Sequence, residues 1–106
     1  MAELYRRQGY EIAASRWRGR SGEIDFIAQG MGGFVFVEVK SASTHDLAVQ
    51  RVSPRQRSRL YAAAQEFLAK TRAGHANSAR FDVALVDRSG CIKVIENAFG
   101  LEQSGW

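Results

Sequence analysis

The chain has 106 residues, of which 45% are hydrophobic and 25% charged. This composition excludes a disordered, collagen-like or coiled-coil chain and predicts one globular domain over residues 1–106. The 15 Lys and Arg outnumber the 11 Asp and Glu, and 12 of the basic residues are Arg. Because Arg binds phosphate through a bidentate fork, this balance favours nucleic acid as a partner.

Cysteine content and hydropathy predict a cytoplasmic protein without membrane association. The single cysteine, Cys91, excludes an intrachain disulfide and is expected to be a small buried side chain. No purely apolar run approaches the roughly 20 residues that a membrane-spanning helix needs, so none could span a membrane. The first residues also lack the apolar stretch of a signal peptide.

The first predicted elements are a helix over residues 2–8, a strand over residues 10–17 and a strand over residues 23–28. Alternation in the first strand predicts one face made of Tyr10, Ile12 and Ala14. Alternation in the second strand predicts one face made of Ile24, Phe26 and Ala28, with Glu23 and Asp25 on the other. Gly30 to Gly33 is typical of a hairpin turn.

The strongest strand pattern covers residues 34–41, whose even-numbered side chains are expected to share a face: Phe34, Phe36, Glu38 and Lys40. A polar loop over residues 42–52 follows. Ser53, Pro54 and Gln56 then predict a helix start with a capping box, and Gly74 predicts the end of that helix. Strands over residues 81–86 and 91–95 complete a mixed sheet with helices, an α/β or α+β fold.

Charged residues interrupt the most hydrophobic strand, where Glu38 and Lys40 project from one face. If residues 23–28 and 34–41 pair as a hairpin, Asp25 comes close to Glu38. Two adjacent carboxylates repel each other unless a cation lies between them, and a hard divalent ion with oxygen ligands fits that place. A surface Glu–Lys pair on a half-exposed strand would give the same tripeptide, so the pattern alone leaves both interpretations open.

Four ordered motifs extend this pattern: Gly22-Glu23-Ile24-Asp25-Phe26-Ile27-Ala28, Val35-Phe36-Val37-Glu38-Val39-Lys40, Arg80-Phe81-Asp82-Val83 and Asn97-Ala98-Phe99. With Gly9-Tyr10 and Arg16-Trp17-Arg18, they resemble the YraN-like family, also called uncharacterised protein family 0102. The resemblance covers nearly the whole chain. That family looks like a branch of the PD-(D/E)xK nuclease superfamily and is similar to archaeal Holliday-junction resolvases.

The resemblance implies a restriction-endonuclease-like α/β core, in which helices flank a central mixed sheet. It also implies an endonuclease that depends on Mg²⁺ or Mn²⁺. Carried onto this chain, it makes Asp25, Glu38 and the Val39 carbonyl the metal ligands, and Asp25, Glu38 and Lys40 the catalytic residues. Glu23, within the Gly-Glu-Ile-Asp signature, is expected to support the site rather than to bind metal.

Two departures from the family pattern bear on catalysis more than on fold. The family usually carries a Glu in its first helix, at a position that would precede Met1 here. It also commonly carries Lys-Gln where this chain has Gln56-Arg57. Gln56 thus removes a charge close to the expected substrate phosphate, although it is still expected to support the site, and Arg57 could restore that charge one position further on.

Two groups of arginines are the candidate nucleic-acid contacts: Arg16, Arg18 and Arg20, and Arg55, Arg57 and Arg59. Arg51, Arg55 and Arg59 fall at four-residue spacing, with Arg57 between the last two. Basic residues at a helix N-terminus oppose the macrodipole, which favours a functional reason, yet a solvated helix face is the alternative for the second group.

Three further residues have a functional and a structural interpretation. Trp17 could stack on a base or simply pack at the edge of the core. His45 could meet substrate from the polar loop or remain exposed to solvent. Asp82 is expected to accept structural hydrogen bonds rather than bind metal.

Three functions remain open at this level. The leading hypothesis is a metal-dependent endonuclease that hydrolyses phosphodiester bonds in DNA, including branched or junction DNA. The alternatives are a non-catalytic nucleic-acid-binding domain with a degenerate nuclease site, and a protein-interaction domain. A junction-cutting enzyme would be expected to form a homodimer, because two symmetric strands need two cuts.

Overall fold

The computed structural model describes residues 1–30, 33–41, 53–71 and 78–98. The elements in chain order are α1 (Ala2–Arg7), β1 (Glu11–Arg18), β2 (Glu23–Gly30), β3 (Gly33–Ser41), α2 (Pro54–Lys70), β4 (Ser78–Val86) and β5 (Ile92–Ile95). This order confirms the predicted succession of helix, three strands, helix and two strands. The predicted loop over residues 42–52, with His45 and Arg51, lies outside the described residues, as do Gly74 and Phe99.

The five strands form one mixed sheet in the order β1-β2-β3-β4-β5. Strands β3 and β4 are parallel, and the other neighbouring pairs are antiparallel. A parallel pair needs a crossover connection, and α2 lies in the crossover between β3 and β4. The predicted mixed α/β sheet with helices is therefore confirmed. Neither described helix is long and apolar enough to cross a membrane.

Each face of the sheet carries its own apolar cluster. On one face, Leu60, Ala64 and Phe67 of α2 pack against Phe36 and Phe81 of the central strands. This face is called the α2 face below. On the opposite face, the α1 face, the cluster consists of Tyr5, Phe26, Ala28, Val35, Val37 and Ala84. Burial of both faces of β3 explains its continuous run of aromatic and β-branched residues.

The predicted face of β1 is wrong at its third member. Tyr10 and Ile12 pack against the cluster of the α1 face, whereas Ala14 packs against the cluster of the α2 face. A register shift between Ile12 and Ala14 explains the reversal, because a β-bulge inserts one extra residue and turns the following side chains to the other face.

Strand β2 contains a second reversal, so its predicted face is also wrong. Ile24 lies in the cluster of the α2 face, while Phe26 and Ala28 lie in the cluster of the α1 face. Trp17, the pairing partner of Ile24, likewise packs on the α2 face. The reversal at Ile24 lies beside Arg16 of β1. The backbone of Arg16 has a φ of 50°, in the left-handed region that non-glycine residues rarely adopt.

The start of α2 confirms the predicted N-cap but not the capping box. Ser53 Oγ accepts a hydrogen bond from the Gln56 backbone N–H at 3.2 Å, with Pro54 as the first helical residue. The Gln56 side-chain amide, however, donates to Glu38 in β3. The helix ends at Lys70 rather than at Gly74, with Thr71 as its C-cap.

Cys91 is exposed, so its predicted burial is wrong. It lies in the turn before β5, where Asp87 Oδ1 accepts hydrogen bonds from the backbone N–H groups of Ser89 and Cys91. The position of Cys91 is therefore set by the hydrogen bonds of this turn and not by the hydrophobic character of its side chain.

Candidate functional site

Asp25, Glu38 and Lys40 come together where β2 and β3 separate on the α2 face. Lys40 Nζ lies 3.1 Å from Glu38 Oε2, and the Asp25 carboxylate is close enough to Glu38 to disturb its protonation. Glu38 is only 8% exposed. The structure therefore brings together the three side chains that sequence analysis singled out, and Glu38 and Lys40 share a face as predicted.

A break in the β2–β3 ladder creates this arrangement. Regular pairing runs from Gly30–Gly33 to Phe26–Val37 and stops there. Asp25 directly precedes Phe26 in β2, and its Oδ2 accepts a hydrogen bond from the Val39 backbone N–H at 2.6 Å. The carboxylate thus takes the place of a backbone acceptor, which holds Asp25 beside Glu38 and satisfies the amide. This bond uses the N–H of Val39, whereas the predicted ligand is its carbonyl.

Burial and the neighbouring carboxylate disturb the protonation of Glu38. Desolvation, followed by repulsion from Asp25, raises the pKa of Glu38 from its ordinary value of 4.5 to about 7, although Lys40 acts in the opposite direction. A single ammonium therefore does not fully balance the two carboxylates. Negative charge held in a partly buried place is the condition under which a divalent cation binds well.

An open cleft of about 410 Å³ lies directly over Glu38. Its lining consists of Gly22, Glu23, Glu38, Ser53, Arg55, Gln56, Arg59 and Leu60. Gln56 Nε2 donates to Glu38 Oε2 at 2.8 Å, which confirms contact between the predicted support residue and the site. Arg55 and Arg59, both exposed and one helical turn apart, add positive charge to the rim of a cleft with an acidic floor.

The other predicted arginines lie at different distances from this cleft. Arg57 is half-buried and is not part of the cleft lining. Arg18 pairs with Glu23, a cleft residue, at 3.2 Å, and both side chains are largely exposed. Arg16 and Arg20 are exposed in β1 and in the turn that follows it.

Trp17 and Asp82 take structural positions in the fold. The Trp17 ring packs edge-on against Phe67 of α2, with ring centroids 5.6 Å apart. Asp82 is completely buried on the α1 face, away from Glu38, and accepts hydrogen bonds from Tyr5, Arg80 and the Asn97 backbone. The predicted hydrogen-bonding role of Asp82 is confirmed.

Sequence reasoning missed Glu66, which lies one position before Phe67 on α2. Its carboxylate accepts hydrogen bonds from the backbone N–H groups of Arg20 and Ser21. An acidic residue beside an apolar helix stripe carries no local signal of such a bond. The contact joins residues more than 40 positions apart, so only the fold reveals it.

The donor set fits a magnesium-like ion better than a zinc-like one. Within the described residues, no group of three or more His, Cys, Asp or Glu side chains could share a metal ion. Zinc sites usually need three or four protein ligands. Mg²⁺ keeps most of its water and is held by one or two carboxylates together with substrate phosphates, and Asp25 and Glu38 supply that number.

Comparison with known proteins places the chain in a family. Residues 1–86 match uncharacterised protein family UPF0102. The chain belongs to this family. A UPF0102 protein of Cereibacter sphaeroides is 50% identical over 99 residues, covering 93% of this chain and 85% of the relative. A UPF0102 protein of Ruegeria pomeroyi is 50% identical over 96 residues, covering 91% and 78%.

The YraN-like resemblance seen in the motifs is thus confirmed, because it names the same family as UPF0102. A more distant UPF0102 protein, from Granulibacter bethesdensis, is 39% identical over 105 residues and covers 99% of this chain and 66% of the relative. The matched residues 1–86 contain Asp25, Glu38, Lys40 and Gln56. The cleft therefore lies within the part of the chain that defines its UPF0102 membership.

Proposed function

We propose that this UPF0102 protein is a metal-dependent endonuclease of the PD-(D/E)xK type that hydrolyses phosphodiester bonds in DNA. One observation carries the proposal: Asp25 and Lys40 meet at Glu38, and Glu38 lines a cleft that Arg55 and Arg59 also line. Acidic groups below and basic groups above match a ligand that combines a divalent cation with a phosphodiester backbone.

Each residue of the cluster has a distinct role in this proposal. Asp25, oriented by the Val39 N–H, and Glu38, oriented by Gln56, would hold Mg²⁺ or Mn²⁺ together with the Val39 carbonyl. When bound, such an ion lowers the pKa of a coordinated water and stabilises charge on phosphate oxygens. In the net reaction, a water oxygen bonds to phosphorus, and the bond from phosphorus to one ester oxygen breaks.

Lys40 supplies the positive charge closest to the reacting phosphate. Its ammonium lies 3.1 Å from Glu38 Oε2, and this ion pair holds it beside a residue that lines the cleft. From there it stabilises the negative charge that develops on the phosphoryl oxygens. Arg55 and Arg59 bind neighbouring phosphates of the strand, whatever its base sequence.

The second candidate function is nucleic-acid binding without cleavage. It is favoured by the neutral Gln56 amide at Glu38 and by the finding that only two carboxylates meet at the site among the described residues. In this case the arginines would still bind phosphates, and the acidic floor would have lost efficient catalysis. Retention of the complete Asp25, Glu38 and Lys40 set makes it the weaker proposal.

A cleavage assay separates these two functions. Purified protein is incubated with duplex, single-stranded, flap and four-way-junction DNA in Mg²⁺, Mn²⁺ or EDTA. We expect cleavage in Mn²⁺ or Mg²⁺ and none in EDTA. Glu38→Gln should abolish cleavage because an amide binds hard cations poorly, and Lys40→Ala should stop cleavage while leaving metal binding intact.

Binding measurements on the same variants complete the test. Both variants should still bind DNA, whereas Arg55→Ala with Arg59→Ala should weaken binding on all sequences and flatten its salt slope by about one unit per lost phosphate contact. Cleavage by both active-site variants at the parent's rate would assign the activity to another site or a contaminant. Salt-dependent binding without cleavage of any substrate would favour the second candidate.

A further inference from the structure

The turn between β1 and β2, residues 19–22, is fastened to α2 by one carboxylate. Glu66 Oε2 accepts a hydrogen bond from the Arg20 N–H at 3.0 Å, and Glu66 Oε1 accepts one from the Ser21 N–H at 2.8 Å. The turn is closed by a bond of 2.9 Å from the Gly19 N–H to the Gly22 carbonyl. Helix α2 therefore fixes the backbone from which Arg20 projects.

Close packing at Gly19 tightens this attachment. A Cβ at Gly19 would lie 2.7 Å from the Trp17 ring and 2.9 Å from Glu66 Oε1, so a side chain there would displace one of them. At the other end of the turn, a Cβ at Gly22 would lie 3.7 Å from the Cβ of Arg59, a cleft residue. The approach to α2 is therefore tight at Gly19, whereas Gly22 leaves room for a Cβ at ordinary van der Waals distance.

The negative charge of Glu66 is unfavourable for DNA binding at the surface on which it lies. Two successive backbone N–H groups that point the same way make a site for an anion. Here a carboxylate of the protein occupies it, and these donors lower the pKa of Glu66. An additional negative charge at the backbone of Arg20 weakens long-range attraction for DNA, so any contribution of Glu66 to binding must come from the geometry that it imposes.

We propose that Glu66 is a positioning residue for nucleic-acid binding, which holds the turn over residues 19–22 whose last residue, Gly22, lines the cleft. This inference rests on the proposed function. The turn contributes Gly22 to the lining of the cleft, and Glu23, Arg55 and Arg59 line the same cleft. By fixing the backbone at Arg20 before DNA arrives, Glu66 reduces the conformational entropy that binding would otherwise lose.

The sign of the effect of Glu66→Gln tests the proposal. Charge alone predicts that Glu66→Gln binds DNA more tightly than the parent. The control variant Glu11→Gln, at an exposed position of β1, should do so. The positioning role predicts weaker binding, by about three- to tenfold in the dissociation constant. The Gln side chain has one acceptor oxygen in place of two, so it cannot give each of the two N–H groups its own oxygen. The turnover number at saturating DNA and the affinity for Mn²⁺ should be unchanged.

A second variant disturbs the hydrogen bonds from Arg20 and Ser21 to Glu66 without changing the charge of the protein. Gly19→Ala should displace Glu66 or Trp17 and weaken DNA binding to a similar extent. Amide hydrogen exchange at Arg20 and Ser21 should accelerate in both variants relative to the parent, while exchange in β3 stays unchanged. This local readout also shows that the variants remain folded.

The outcomes separate this inference from the function on which it rests. Weaker binding with faster exchange at Arg20 and Ser21 supports the positioning role. Binding by Glu66→Gln that is as tight as or tighter than that of the parent overturns it, even if the parent cuts DNA. A parent that neither binds nor cuts any DNA overturns the proposed function itself, whatever the exchange rates show.

Discussion

The two faces of the sheet each bury a carboxylate, and the two are stabilised very differently. On the α1 face, Asp82 is fully buried and accepts two hydrogen bonds from Arg80, at 3.0 and 3.2 Å, one from Tyr5 at 2.7 Å and one from the Asn97 N–H at 2.9 Å. On the α2 face, Glu38 lies beside a second carboxylate, Asp25, and its pKa rises to about 7.

This difference separates a carboxylate that holds the fold together from one suited to bind a ligand. Asp82 has a cation and neutral donors around it, which is how proteins compensate a buried charge. Glu38 has Lys40 and Gln56 but also an adjacent negative charge, so its surroundings favour neutralisation by a proton or a cation. We expect the two sites to respond in opposite ways to loss of their charge.

The largest expected effect is the loss of stability when Asp82 is removed. Asp82→Ala leaves the Arg80 cation and the Tyr5 hydroxyl without their buried acceptor, and we expect the free energy of unfolding to fall by about 3–5 kcal/mol. Urea denaturation measures it. Tyr5→Phe removes a single donor and should lose only about 1–2 kcal/mol. A loss below about 1 kcal/mol for Asp82→Ala would show that this carboxylate does not hold the fold.

The next effect is a pH dependence that comes from Glu38. Because its folded pKa of about 7 exceeds the ordinary 4.5, the native state binds more protons than the unfolded chain between these values. In EDTA, the free energy of unfolding contributed by this group should therefore fall as pH rises from 4.5 through 7, by up to about 3 kcal/mol. Mn²⁺ at pH 8 should restore part of it. A contribution that increases with pH would contradict the assignment.

A smaller gain is expected when the charge of Glu38 is removed. In EDTA at pH 8, Glu38→Gln should raise the free energy of unfolding by about 1–2 kcal/mol, because the repulsion from Asp25 is relieved. The variant should also lack the pH dependence described above. Glu23→Gln, on the exposed rim of the same cleft, is the matched control and should change stability by less than about 0.5 kcal/mol. Destabilisation by Glu38→Gln would place Glu38 in the same class as Asp82.

The smallest effect concerns the strand irregularity that accompanies the site. Arg16 has a φ of 50°, which glycine adopts without strain, so Arg16→Gly should stabilise the protein by about 1 kcal/mol. Arg18→Gly removes the same charge from extended backbone in the same strand and should destabilise it by about 0.5–1 kcal/mol. Thermal unfolding of the pair measures the difference. Equal effects would mean that the backbone at Arg16 is unstrained.

Much of the fold and the centre of the site could be predicted from local patterns. Alternation in β3 placed Glu38 and Lys40 on one face, and Ser53 with Pro54 marked the start of α2. These signals span only a few residues, so the chain carries them without reference to the rest of the fold. The predicted convergence of Asp25 with Glu38 needed only one hairpin, and the structure shows it.

Features that depend on distant contacts could not be predicted. The face reversal in β1 follows from a register shift, and the reversal in β2 coincides with the left-handed Arg16 of β1; no glycine marks either place. Gln56 matched a capping box, yet its amide donates to Glu38 because β3 lies beside the helix start. Glu66 gave no signal at all, since its partners are backbone amides on another element.

Two carboxylate hydrogen bonds, one made by Asp25 and one by Asp82, close chain loops of very different length, which has a consequence for folding. The Asp25–Val39 bond joins residues 14 positions apart, whereas the Tyr5–Asp82 bond joins residues 77 positions apart. Closing the longer loop costs about 1.5 kcal/mol more chain entropy. The hairpin that carries Asp25 and Glu38 is therefore expected to form early, and the Tyr5–Asp82 contact late. Negative charge would be concentrated at the hairpin before α1 and β4 close the domain, so we expect a divalent ion bound at the proposed site to speed folding as well as stabilise the folded domain.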